Sequence, residues 1–418
     1  MTERLVLFED AHWGDLSPLT DLLPVDALAF GGSCLATRWM RAVPEARPGG
    51  FVGRPRTLAA WRPAHAEDAR ADSTESVLAI QVAALPGPWF APAIEDGAPA
   101  LWLAGDRVVG ARGPYRQLAP GLGRGADFAE FLRGLGLPES RVDARVIRWP
   151  WELMEWNPEA LSADLESARP ESAGEVHRLA ALYEPQRISV GAGARVDAFA
   201  VLDARPGPIR LERGVIVQPH TVVVGPCVVG EGTELLGGVV SRSTIGPQCR
   251  IAGEVDSSVW QGYANKRHHG FVGHSVIGEW SNLGALTTTS DLKNTYGEVR
   301  VWAGGREMAT GSHKIGSFIG AHVKTGIGTL LPTGASIGTG SNLFGGGRFA
   351  PKRVPPFTWW DGERAVEHRI ERLLETARIA MSRRGKTLDR EAQQAIESMF
   401  EATVRERNPA AEKVQGPA

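Results

Sequence analysis

Between Gly262 and Gly284 the chain carries a polar, histidine-rich segment inside an otherwise apolar repeat. His268, His269 and His274 lie there with Lys266, Arg267, Phe271 and Asn282, and Lys293 follows shortly after. An imidazole exchanges its proton near neutral pH, so each histidine is a candidate general base. Asn282 can donate and accept hydrogen bonds at once. The chemistry indicated is proton transfer on a polar substrate, with the coil beneath holding the groups in place.

That coil is legible as a six-residue period. One row runs through Val190, Val196 and Leu202, then Leu211, Val217, Val223, Val229 and Leu235, then Ile245 and Ile251. Phe271, Ile277 and Leu283 continue it, followed by Ile319, Thr325, Leu331, Ile337 and Leu343. A hexapeptide period predicts a parallel β-helix, with three short strands and three tight corners to each coil. Each aliphatic side chain points inward, and glycine serves where a corner needs positive φ or close approach. A β-sandwich would show period two instead.

The chain has 418 residues, more than one ordinary core accommodates. Its net charge of −2 offers no basic footprint for nucleic acid or an anionic membrane surface. No run of 18 apolar residues exists, and the first ten residues lack the apolar core of a signal peptide. The three cysteines, Cys34, Cys227 and Cys249, have no metal-ligand spacing, so a reduced, cytoplasmic protein is expected. Four regions follow: an α/β domain over 1–150, a connector with a helix over 151–185, the β-helix over 186–350, and a loop with amphipathic helices over 351–418.

From Ile245 to Trp302, and again through Ile319–Thr329 to Pro355, the sequence resembles an alternative bacterial form of the bifunctional UDP-N-acetylglucosamine pyrophosphorylase/glucosamine-1-phosphate N-acetyltransferase. The N-terminal stretches Leu7–Asp10 and Leu16–Thr20 carry the same resemblance more faintly. It implies a left-handed β-helix, a homotrimer with active sites between subunits, acetyl-CoA as donor and an amino sugar phosphate, glucosamine-1-phosphate, as acceptor. Under it His268 stands at the general base, with His269 and His274 as lesser candidates. Asn282 matches a sugar-contacting asparagine, and Lys266, Arg267 and Lys293 are candidates for phosphate contacts. Ala285 falls where a small residue meets the acyl-CoA, and Lys352 and Arg353 resemble cations that meet its phosphates. Phe271 replaces the tyrosine expected in the substrate site, and Asp291 replaces an asparagine.

A sugar nucleotidyltransferase opens with a glycine-rich loop and cations, because backbone N–H groups and positive charge must hold a triphosphate. Here the first strand runs into Glu9, Asp10, Ala11, His12, Trp13, Gly14 and Asp15. The N-terminal domain therefore reads as nucleotidyltransferase-like and degenerate, with UTP and Mg²⁺ required only if it is active. Asp10 and Asp15 are candidates for Mg²⁺, with a helix cap or surface turn as the plainer alternative. Two other classes stay open. A γ-carbonic-anhydrase-like zinc enzyme is suggested by the spacing of His269 and His274, with His220 poorly placed as a third ligand. A non-catalytic scaffold that binds nucleotide sugar is favoured by Phe271 and Asp291.

Overall fold

The computed structural model describes residues 3–61, 75–95, 97–167 and 172–407. The N-terminal part builds a six-stranded sheet in the order Arg47–Val52, Arg4–Phe8, Ser76–Gln81, Arg107–Pro114, Ala100–Ala104, Glu139–Arg141. Only Arg107–Pro114 runs against the others. The apolar runs noted in the sequence supply these strands, and their alternation sends side chains to two separate cores. Val6, Phe8, Val77, Ala79 and Leu101 pack against the helix Phe128–Arg133. Leu5, Leu7, Leu78, Ile80 and Trp102 face the opposite way.

That second core does not stop at the domain. It continues into Trp151, Leu153 and Met154 of the helix Pro150–Glu155, and from there into Val259, Val276 and Phe318 of the coil. One side of the β-helix is therefore the floor on which the α/β domain rests, and the outward residues of that side are apolar for this reason.

From Glu175 onward the chain winds as the parallel β-helix that the hexad period predicts, so the first coil begins ahead of residue 186. One side is a nine-stranded sheet whose inward row reads Val190, Leu211, Val229, Ile245, Trp260, Ile277, Ile319, Ile337 and Val354. The other two sides share a second sheet, because Glu234–Ser241 and Arg250–Asp256 pass through the corner between them unbroken. No coil could bury its inward row alone; stacking removes these residues from water together.

The structure corrects the row in one place. Val272, not Phe271, points inward, and Val272 is fully buried while Phe271 lies on the outer surface. Counting six back from Val272 puts Lys266 in the inward row, stacked on Ile251. The step from Val272 to Ile277 is five residues, and this broke the period.

Residues 290–316 leave the coil between Thr288–Thr289 and Ser317–Ile319 and form an antiparallel hairpin, Arg300–Ala303 with Arg306–Ala309. The hairpin buries Val299, Val301 and Ala303 in the core shared with the N-terminal domain. At the far end, helices Ile370–Ser382 and Arg390–Ala402 close over Phe357 through Leu373, Leu374, Ala377 and Ile396. Asp389 caps the second of these by accepting from Ala392 N at 2.8 Å.

Candidate functional site

His268 and His269 occupy the corner between the two sides that share a sheet, and both are exposed. Directly above them in the next coil sit Ala285 and Leu286, fixed by a hydrogen bond from Leu286 N to His269 O of 2.8 Å. Asn282 flanks the corner on one side, where it accepts from Asn265 Nδ2 at 2.6 Å and stacks between Asn265 and Lys324. Phe271 flanks it on the other. The structure thus gathers His268, Asn282, Ala285 and Phe271 around one corner.

The coils on the other side of His268 are pinched. Leu235 to Val240 takes five residues and Ile251 to Val255 only four, against six at Lys266 to Val272, so the corner is recessed there. Gly238 and Gly253 have φ of 98° and 86°, and a Cβ on Gly253 would lie 2.5 Å from Gly270 O. In the opposite direction the ridge turns apolar: Leu286, Ile327 and Phe344 are 58%, 71% and 66% exposed. A recess, a histidine and an exposed apolar ridge follow one another along the axis of the coil.

Lys266 is not a surface cation. It is fully buried, and its Nζ donates to the carbonyls of His268 and His269, the latter at 2.7 Å. Burial draws its ammonium down to about 8. This corrects its assignment as a phosphate contact: it pins the histidine corner from inside the prism. Arg267 remains exposed at the same corner, and the Lys293 ammonium donates to Glu298 O within the insertion.

Lys352 and Arg353 emerge from the nine-stranded side, across the prism from the His268 corner. Arg353 lies 3.6 Å over the Trp302 ring and pairs with Glu406 at 3.1 Å, while Lys352 pairs with Glu307 at 3.0 Å. One chain does not bring these cations to His268.

At a different corner His274 Nδ1 meets Asp291 Oδ2 at 2.7 Å, with the side chains 14% and 16% exposed. Hydrogen bonding to His274 and its charge hold the Asp291 carboxyl below its ordinary value despite partial burial. Glu155, raised by burial, reaches this corner from the connector helix Pro150–Glu155. Spacing alone had not linked Asp291 to His274. Within one chain the zinc set does not assemble: His220 stacks on Phe199, His274 is taken by Asp291, and no group of three potential ligands occurs among the described residues.

In the N-terminal domain, Glu9 directly follows the first strand, Arg4–Phe8. Its carboxylate accepts from Val25 N at 3.2 Å and from Arg54 N and Nε at 2.8 Å each, and it is fully buried. The Arg54 guanidinium also reaches Thr20 O and Leu23 O and lies 3.9 Å over Trp13. Asp10 caps a short helix by accepting from His12 N at 3.0 Å, and Asp15 pairs with Arg107 at 3.2 Å. Both candidates for Mg²⁺ are thus committed to the fold.

These features define a class, an α/β domain resting on a hexapeptide-repeat β-helix. Residues 5–172 match the family model described as sugar nucleotidyl transferase. The bifunctional sugar-1-phosphate nucleotidylyltransferase/acetyltransferase of Sulfurisphaera tokodaii is 31% identical over 130 residues, which are 31% of this chain and 27% of that protein. The bifunctional protein GlmU of Methanococcus vannielii is 28% identical over 125 residues, 30% of this chain and 25% of that one. Over these stretches the chain is similar to bifunctional nucleotidyltransferase/acetyltransferases, and it spans about a quarter of the length of the relatives it matches. Among solved structures, a UDP-N-acetylglucosamine acyltransferase covers 58% of this chain and 90% of its own, at 17% identity and a TM-score of 0.23. No helix among the described residues is long and apolar enough to cross a membrane.

Proposed function

We propose that the chain transfers an acetyl group from acetyl-CoA to the amine of an amino sugar phosphate, glucosamine-1-phosphate, with His268 as the base. The observation that carries this reading is the corner itself: an exposed histidine between the shortened corners of the preceding coils, where the acceptor would lie, and an exposed apolar ridge that suits an extended acyl-pantetheine arm. The acceptor reaches the site as the free amine, and the imidazole of His268 takes a proton from it as it attacks. The nitrogen then bonds to the thioester carbon, the C–S bond breaks, and the thiolate leaves with the proton returned from the imidazolium. Asn282 orients a sugar hydroxyl, Arg267 faces the phosphate, and Phe271 gives the sugar an apolar wall in place of a phenol.

Lys352 and Arg353 contribute to cofactor binding only if a second copy presents them, which fits a homotrimer with shared sites. The exposed ridge of Leu286, Ile327 and Phe344 supports such an interface. Three free cysteines agree with a reducing, cytoplasmic setting. The buried Glu9–Arg54 pair, in the turn after the first strand where the sequence offers no glycine-rich loop, favours a supporting rather than a nucleotidyl-transferring role for the N-terminal domain.

A second reading places the base at His274, because Asp291 orients its Nδ1 and leaves Nε2 for substrate. Thiol release from acetyl-CoA with glucosamine-1-phosphate distinguishes the two. His268→Ala should lower transfer by about 10² or more and His274→Ala by much less; the reverse order favours His274. Absence of transfer by the unmodified protein overturns both. A parallel assay with UTP and Mg²⁺ should release no pyrophosphate.

A further inference from the structure

A third corner of the coil, away from His268 and His274, carries an aromatic column: Tyr263 and Trp280 stack with centroids 4.3 Å apart, and His322 continues the column at 6.4 Å. All three adopt left-handed backbone, with φ of 53°, 59° and 58°. Between this column and the C-terminal helices lies a cavity of about 390 Å³. Its helical wall is aliphatic at Leu388 and Ile396, with the charged Lys386 and Asp389 also lining it; its coil wall sets Glu279 and His322 beside the aromatic rings, and Trp61 lines it from the N-terminal domain.

Two groups on the polar wall lack partners. His322 is 6% exposed and its Nδ1 has no hydrogen-bond partner among the described residues. Burial pushes its imidazole down to about 3, so it is neutral. Glu279 has no hydrogen bond or ion pair through its carboxylate among the described residues, and burial alone raises it to about 7. Glu279 is only half-buried, so of the two the His322 nitrogen is the buried unsatisfied group, at a cost of about 1–3 kcal/mol; with the unpaired carboxylate beside it, it points to an absent ligand. Lys386 is exposed at the mouth, 5.9 Å from the Tyr263 ring.

We propose that this cavity binds a nucleotide, with the base between the aliphatic and polar walls and the phosphate at Lys386. A base has apolar faces and an edge of N–H donors and carbonyl acceptors, which matches one greasy wall and one wall bearing a carboxyl and a neutral imidazole. A single phosphate suits a single lysine at the rim.

The full-length protein should be titrated calorimetrically with adenosine and uridine 5′-monophosphates, their nucleosides, coenzyme A and inorganic phosphate. Binding of at least one monophosphate is expected, weakened tenfold or more by Glu279→Gln and by Lys386→Ala, and unchanged in His268→Ala. Lys386→Ala should spare the nucleoside. If coenzyme A alone binds and Glu279→Gln weakens it, the nucleotide is the donor's own; if a monophosphate binds as well, a separate nucleotide is the occupant. No binding by any nucleotide, binding indifferent to both variants, or phosphate binding as well as the nucleotides would overturn the proposal. Lys386 lies on the surface, so its variant remains informative if Glu279→Gln fails to fold.

Discussion

His274 Nδ1 and Asp291 Oδ2 lie 2.7 Å apart, joining a corner of the coil to the first residues of the segment that leaves it. The pair is mostly withdrawn from water, so it ties the insertion to the helix more firmly than a surface pair would. Asp291→Asn should lower the melting temperature by several degrees. With His268 as the base, its kcat/KM should fall less than fivefold and the acid limb of the pH profile should stay in place. A displaced limb would transfer the base to His274.

Lys266 fills an inward position of the prism and holds two corner carbonyls. Lys266→Met preserves length and apolar stem but frees the His268 corner. Acetyl transfer should fall at least tenfold with little change in thermal stability, because the lost hydrogen bonds are offset by relief from burying an ammonium. A collapse in stability without selective loss of transfer would assign Lys266 to folding alone.

Glu279 makes a signed prediction about pH. Its folded-state value is raised from 4.5 to about 7, so its contribution to stability is complete below pH 4.5 and lost as pH rises through about 7. Glu279→Gln should match the unmodified protein near pH 5 and be the more stable at pH 8, by at most about 3 kcal/mol. Chemical denaturation at the two pH values measures this directly. Equal differences at both would show that the carboxyl is not buried as described.

The register around Phe271 can be tested by paired substitutions. Val272→Asn puts an amide into the inward row and should cost about 2–4 kcal/mol. Phe271→Asn, on the outer surface, should cost under about 1 kcal/mol while still lowering affinity for the acceptor. Urea denaturation of the two variants checks the order.

The Glu9–Arg54 pair is nearly fully buried, with the Glu9 carboxylate 1% exposed. Arg54→Ala leaves that charge without its cation and should destabilise the N-terminal domain by about 3–5 kcal/mol. Calorimetry would detect this, and replacing both residues with apolar ones should recover part of the loss.

The hexad period by itself determined the coil, because an inward row that must be buried in every coil imposes its spacing on the sequence. The amphipathic spacing at Leu373, Leu374 and Ala377 likewise disclosed the C-terminal helices, and the histidine cluster stood out because it interrupts an apolar repeat. Tertiary structure decided the rest. The inward place of Lys266 was hidden because a short step to Ile277 moved the apparent row onto Phe271. The departure of 290–316 from the coil left no periodic signature. Pairings such as Glu9 with Arg54 and His274 with Asp291 join residues 45 and 17 positions apart, and local spacing does not encode them. Finally, Arg353 and His268 both follow the repeat, yet they point from opposite sides of the prism. Which side a residue faces depends on the cumulative lengths of all the corners before it, and several of those corners are a residue or two short.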